Sequence, residues 1–329
     1  MKREQYFLKG FIIIFFFFIG AVSMGLAEEV KYPEKPVTAV VQFPIAGGGD
    51  IYVRGLANVI EKYFGQPWTV INKPGGAGVV AGDFLSKAKP DGYTICNLIS
   101  TGADPELYSY FRKPTYKFSD LAPIIRVISY SYCLVTRSDV PWRNLKEFIE
   151  YVKAHPKEIR WAHQGVGHPY HLLGVALSRQ NGLDMTDVPF KGSADENLAV
   201  LGKKVEAAIV SVVTAKQFVE AGQMLMLAVQ SPSRLPYLPK VPTFEELEQV
   251  RGFPIHYDAL FAPKGTPDYI IKKIHDAVKK AMEDDAFKSA MDKSGMDILY
   301  GTPEDVKRDV EIHRKVYGEI FTNLGFVSK

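Results

Sequence analysis

Three consecutive glycines, Gly47, Gly48 and Gly49, stand between an apolar run ending at Phe43 and an acid, Asp50, with Pro44, Ile45 and Ala46 in between. A helical pattern follows. A glycine turn that opens a helix presents unpaired main-chain N–H groups and the positive end of the helix dipole, which together attract an anion. Glycine lets that anion touch the backbone. A second segment of the same kind, Gln164, Gly165, Val166, Gly167 and His168, follows the run from Ile159 to His163 and precedes another helical pattern. In open parallel sheets such turns lie beyond the carboxyl ends of the strands, so two units facing each other would hold one anion from both sides. Nucleotides fit poorly. The first loop lacks the Gly-Lys-Ser/Thr ending of a phosphate loop, and its glycines lack the Gly-x-Gly-x-x-Gly spacing of a dinucleotide site. With Asp50 beside the loop, a carboxylate is the expected anion.

Other residues have side chains that could do chemistry. His163, His168 and His171 cluster without a nearby acid or cysteine in sequence, so no metal is expected there. A His168 facing the ligand would add positive charge when protonated and raise affinity below about pH 6.5. Lys191, before Gly192, could reach a second carboxylate. Asp50 is expected to cap its helix or to accept a ligand ammonium, and Arg54 to pair with an acid. No Gly-x-Ser-x-Gly elbow, His-Glu-x-x-His motif or cysteine in a polar setting is present, so an enzyme is not expected, and no cofactor.

The elements that must position these loops alternate. Val37 to Phe43, Trp68 to Asn72 and Tyr93 to Ile99 read as strands. Helical patterns fill the intervals from Asp50 to Gly65 and from Val79 to Ala88. Such order predicts a mainly parallel sheet wrapped by helices. Ile128 to Arg137 begins a second unit, with a helix from Leu145 to His155 capped by Asn144 and steadied by Glu147 reaching back. Near the end, Thr266 with Pro267 and Thr302 with Pro303 each read as a cap and first-turn pair for a long helix.

Length permits two medium domains. The amino end carries Lys2, Arg3 and Lys9, then an apolar stretch from Phe11 to Val22, then Gly25 and Ala27, which is the layout of a cleaved signal peptide at residues 1–27. Without that segment the formal charge falls from +3 to about +1, because Lys2, Arg3, Lys9 and Glu4 leave. No basic surplus remains for nucleic acid. Cys96 and Cys133 sit in apolar, strand-like runs and read as buried thiols.

The mature sequence resembles the substrate-binding proteins of tripartite tricarboxylate transporters, the Bug receptors. The resemblance rests on Tyr32 to Pro44, the glycine loop with Asp50 and Arg54, Phe64 to Gly78, Lys87 to Thr94, Val188 to Ala194, Leu238 to Glu246 and Leu260 to Pro267, in family order. It implies an α/β fold of the type II periplasmic binding-protein class. Two α/β domains would close on a cleft like a venus flytrap, with residues 28–128 plus 256–329 as one and 129–255 as the other. It also implies a periplasmic receptor, expected to be a monomer, that hands a small organic carboxylate (a di- or tricarboxylate, an aromatic acid or an acidic amino acid) to large and small integral membrane subunits. A receptor feeding a sensor protein and a secreted hydrolase are the other readings. Carried over by the resemblance, the ligand contacts are Phe43 to Asp50, Gln164 to His168 and His171, with Lys191 and Ser211 beside them. Three positions depart from the family pattern. Gly49 stands where a hydroxyl is usual, His168 where a serine is, and Val210 with Ser211 where an acidic or amide pair is common.

Overall fold

Runs of β-branched residues alternate with amphipathic stretches, and the elements follow that alternation. The computed structural model describes residues 31–110, 115–129, 131–231 and 233–323. The expected signal peptide lies outside the described residues. In chain order the elements begin with β1 (Val37–Val41), α1 (Gly48–Phe64), β2 (Trp68–Asn72), α2 (Val79–Ser86), β3 (Thr94–Ile99), the short α3 (Ser100–Ala103) and β4 (Leu121–Ser129). Then come β5 (Tyr132–Arg137), α4 (Leu145–Ala154), β6 (Arg160–His163), α5 (Pro169–Asn181), β7 (Thr186–Pro189), α6 (Ser193–Leu201), β8 (Ala207–Ser211), α7 (Val212–Glu220) and β9 (Met224–Gln230). The chain finishes with β10 (Tyr257–Pro263), α8 (Asp268–Met282), α9 (Asp285–Ser294), β11 (Asp297–Gly301) and α10 (Pro303–Asn323).

Local chemistry accounts for the helix ends. Gly65 takes the left-handed conformation, φ 83°, that stops α1. Asn144 Oδ1 accepts the Glu147 amide at 2.9 Å, while Glu147 reaches back to the Arg143 amide at 2.7 Å, one residue before the expected partner. Thr302 Oγ1 accepts the Asp305 amide at 3.1 Å and the Asp305 carboxylate accepts the Thr302 amide at 2.8 Å. Thr266, by contrast, does not cap α8. Its hydroxyl donates to the Pro263 carbonyl at 2.8 Å, and Pro267 holds the cap position.

Two separate sheets result. The first has the order β11-β4-β10-β3-β1-β2 and the second β7-β6-β8-β5-β9. Both are mixed, which corrects the expectation of a mainly parallel sheet. β1 runs parallel to β2 and β3, but β10 pairs antiparallel with β3 and β4. In the second sheet β6 is parallel to β7 and β8, and β5 is antiparallel to β8 and β9. The run from Ile128 to Arg137 divides between the two sheets, leaving the first at Ser129 and entering the second at Tyr132. The chain returns between Gln230 and Tyr257.

Alternation along β5 shows how the second sheet is covered. Tyr132 and Leu134 join the cluster built with α4 and α5, while Cys133 and Val135 join the opposite one, built with α6 and α7. On the first sheet, α2 and α10 bring Ala81, Leu85, Val306 and Val310 onto Val40, Cys96 and Phe261. α10 then continues past that sheet, and Tyr317 and Phe321 enter the cluster of Tyr132 and Phe253 in the second. Cys96 and Cys133 are both free and buried.

Candidate ligand-binding site

The first loop springs from an anchored base. At the end of β1 the Gln42 amide donates to Asn97 Oδ1 at 3.0 Å, and Asn97 Nδ2 in turn donates to the buried Asp258 carboxylate at 3.2 Å. Beyond it, the Gly47 amide closes a turn onto the Pro44 carbonyl at 3.0 Å, with Ala46 held at φ 63°. Asp50 locks this turn from inside the helix. Its carboxylate accepts from the Ala46 amide at 3.0 Å, from Arg54 Nε at 2.9 Å and from Asn72 Nδ2 at 2.7 Å. Asp50 is therefore not the helix cap, and its carboxylate is engaged by groups of the protein itself. Gly47 takes the cap position without a side chain, and Arg54 pairs with the acid. Gly49 is required by packing, since a Cβ there would lie 2.2 Å from the Phe43 ring. The amides of Gly48 and Gly49 fall in the first turn of α1, where no intrahelical acceptor exists.

The second loop is satisfied by its own histidines. The Gly165 amide donates to His163 Nδ1 at 3.1 Å, the Gly167 amide to His171 Nδ1 at 3.3 Å, and the Tyr170 amide to His168 Nδ1 at 3.3 Å. Two amides of the expected ligand loop, those of Gly165 and Gly167, are thus occupied by imidazole nitrogens, as is the neighbouring Tyr170 amide. His168 is the cap of α5 and only 1% exposed. Burial, reinforced by His256, His163 and His171, holds its pKa well below the usual histidine range. This overturns the expected gain of affinity near pH 6.5, because His168 stays neutral there.

His163 Nε2 also lies 3.1 Å from Asp187 Oδ2, and His163, His171 and Asp187 bring ligand atoms within 4.8 Å of one another. The tautomers speak for a hydrogen-bonded support. With both Nδ1 atoms accepting main-chain N–H groups, the ring protons sit on Nε2, where a metal would have to bind. Burial holds His171 to about 3, so it too is neutral.

Between the two sheets lies a cavity of about 80 Å³. From the first loop, Phe43, Pro44, Ile45, Gly47 and Gly48 line it, joined by Gln164 and Ser211. Opposite stand residues that sequence reasoning did not assign to the site: Tyr170, Gly192, Ser193, Ala194 and Asp195. The last four carry the chain into α6, so the helix opposing α1 across the cavity is α6 and not α5. The segment Phe190-Lys191-Gly192-Ser193 was the available signal, a glycine and a hydroxyl immediately before a helix. Ser193 Oγ accepts the Ser211 amide at 3.1 Å and also the Gln164 amide group, tying strand, loop and helix together. One turn on, Glu196 is fully buried. Burial raises its carboxyl pKa well above the usual range, against a smaller opposing effect of the Ser193 hydroxyl.

An adjoining cavity of about 390 Å³ shares Phe43 and Gln164 with the first. It is walled by Gly75 to Gly78, Gly165, Val166, His168 and Lys191 among others. Ala46, Gly49, Asp50, Gly167 and His171 line neither cavity and act behind the walls. Lys191 is the one Lys or Arg among the described residues on either wall. The loops from the two sheets are in close apposition: a Cβ on Gly192 would meet the Pro44 ring at 3.3 Å, and one on Gly165 the Ala77 nitrogen at 3.4 Å. Tyr237 adds a bond from its hydroxyl to the Gly295 carbonyl at 3.3 Å.

Comparisons with known proteins agree on one family. Residues 52–326 match the model of the tripartite tricarboxylate transporter family receptor. A UPF0065 protein from Cupriavidus necator is 31% identical over 91% of this chain and 91% of its own. BugT of Bordetella pertussis is 29% identical over 88% of this chain and 90% of its own. Among solved structures, the periplasmic binding protein BugD superposes with a TM-score of 0.84 at 30% identity, covering 91% of this chain and 100% of BugD. MatC of Rhodopseudomonas palustris, solved with bound malate, gives 0.82 at 26% identity over 88% of this chain and 99% of MatC.

Proposed function

This chain belongs to the tripartite tricarboxylate transporter receptor family, and from that premise we propose that it captures a small organic carboxylate for a membrane transporter of that type. The observation that carries the reading is the cavity bounded by the starts of α1 and α6. Each helix start offers first-turn amides and about half a positive charge, so the pair suits one carboxylate. About 80 Å³ is room for roughly half a dozen water-sized groups, the scale of a small acid's head. The malate in MatC supports the same ligand class. Charge-assisted hydrogen bonds from desolvated amides contribute about 1.5 to 3 kcal/mol each.

In this reading residues 28–128 with 256–329 form one domain and 129–255 the other, and ligand contacts to both favour the closed arrangement. The receptor works in the periplasm after cleavage behind Ala27. Large and small integral membrane subunits receive the ligand.

Thermal-shift measurements on the mature protein test this. A true ligand at 100 times its dissociation constant should stabilise the protein by about 2.7 kcal/mol. Stabilisation by a nucleotide or a sugar, with none by mono-, di- or tricarboxylates, would sink the reading. Gly48→Val places a branched side chain where ligand must approach the first turn of α1. It is expected to abolish carboxylate binding while leaving the melting temperature of the free protein nearly unchanged. Retained affinity would show that no ligand atom comes near that amide.

A further inference from the structure

Glu196 lies one turn into α6 and is 0% exposed, yet among the described residues neither of its carboxylate oxygens has a hydrogen-bond partner. Ser193 is near enough to favour the charged form weakly without bonding to it. A buried carboxylate without donors is costly, so burial favours the protonated acid. The surrounding groups supply no counter-charge. Asp195 on the same helix adds like charge, while Tyr170 on α5 and Cys133 on β5 are buried and pushed up, toward their neutral forms. β8 carries no titratable group. Arg137, Arg160, His163 and Lys216, on β5, β6 and α7, are engaged by Asp139, Glu206, Asp187 and Glu220. The position matters because Glu196 stands directly behind the cavity wall. Ser193 and Tyr170, which interact with it electrostatically, both line the cavity. Ser193 Oγ already accepts two bonds, from the Ser211 amide at 3.1 Å and from Gln164 Nε2 at 2.5 Å. A hydroxyl has two acceptor sites and one hydrogen, so only the hydrogen is left to assign. That hydrogen can turn to an oxygen in the cavity or to Glu196. An ionised Glu196 would claim it, and would also draw on the positive end of α6 that a ligand carboxylate needs.

Resting on the carboxylate reading above, we propose that Glu196 gates capture by charge: the cavity takes a carboxylate when Glu196 holds a proton, and where Glu196 is ionised in the empty protein, binding draws one proton from solvent onto it. Charge balances in that step. The ligand brings a negative charge to the start of α6 and the proton removes one from Glu196, so the buried charge there does not grow. Ser193 then directs its hydrogen at the ligand oxygen. Glu196 is a positioning residue in this scheme, acting through Ser193 without touching ligand. Affinity is therefore full while the empty protein keeps Glu196 protonated, and falls as pH rises through its ionisation, by up to about tenfold per pH unit. A Glu196 that served packing alone would take up no proton on binding, and the experiment exploits the difference.

Titration calorimetry from about pH 7 to about pH 9.5 with L-malate, succinate and benzoate is the test, since carboxylates of this kind stay ionised throughout. Another carboxylate that raises the melting temperature takes their place if none of the three binds. In the unaltered mature protein affinity should fall by about fivefold or more across that range, and a pH electrode in unbuffered solution should register proton uptake rising toward one per ligand bound. Glu196→Gln, which fixes the uncharged form, should keep the affinity seen at neutral pH across the whole range and take up no proton. A flat profile without uptake in the unaltered protein, a slope or uptake that survives Glu196→Gln, or a folded Glu196→Gln variant that fails to bind at neutral pH would overturn the gate and leave carboxylate capture standing. Binding of none of the three, together with no thermal shift from any other carboxylate, would overturn both. The melting temperature of the variant without ligand separates loss of folding from loss of recognition, and the proton count on the unaltered protein decides the matter even if the variant does not fold.

Discussion

Glu196 shows what a single buried carboxyl does to this protein. Its folded pKa lies above the ordinary value near 4.5 because burial disfavours the charged form. The sign follows directly. Its contribution to stability is complete below the unfolded value and is lost as pH rises through the folded one, at about 1.4 kcal/mol for each unit between them. Glu196→Gln should therefore change the melting temperature little at pH 4.5 and raise it clearly at pH 8, in calorimetry without ligand. An equal change at both pH values would show that the group is ionised in the folded state. The buried histidines have the opposite dependence. His168 and His171 are held below their unfolded values, so their contribution is complete above about pH 6.5 and fades as the solution becomes more acid. At this scale, pairs close in sequence were readable, as Asn144 with Glu147 shows. The partners of Asp50, namely Asn72 and the Ala46 amide, and the imidazoles under Gly165 and Gly167 were not, because turn geometry and tertiary packing choose them.

One helix of the second sheet rests on its strand at a glycine. Gly174 lets α5 approach β6, where a Cβ would fall 2.2 Å from the Trp161 ring. Gly174→Ala is expected to destabilise the fold by about 1 to 3 kcal/mol, the usual range for overpacking a tight core. Denaturant titration would register it as a lower midpoint with unchanged slope. An unchanged midpoint would mean that Trp161 moves aside freely. Strand and helix positions were largely legible, since Val37–Val41, Trp68–Asn72 and the helix ending at Gly65 carry strong local patterns. Sheet direction was not. β10 inserts between β3 and β4 from well over a hundred residues later, and nothing in Tyr257–Pro263 announces an antiparallel partner. The start of α6 was passed over for a related reason: Lys191-Gly192 reads as an exposed turn until β8 and Gln164 close over Ser193.

Across the whole molecule, α10 unites what the sheets divide. Its first half packs with Val40 and Phe261, its second half with Tyr132 and Phe253, where the Tyr317 and Phe253 ring centroids are 5.3 Å apart. Tyr317→Ala removes a fully buried ring and should lower stability by about 3 kcal/mol or more. Both sheets should still melt in one calorimetric transition, because the rest of α10 keeps them joined. Two resolved transitions would show that Tyr317 alone carries the coupling.

The passage of α10 from one sheet to the other has a mechanical consequence. Together with the strand-to-strand passage near Ser129 and Tyr132 and the return before Tyr257, it fastens the two bodies at three points. Any movement of one sheet against the other would have to bend all three connections together, and would draw on the packing of Tyr317 and Phe321 at the far end of α10.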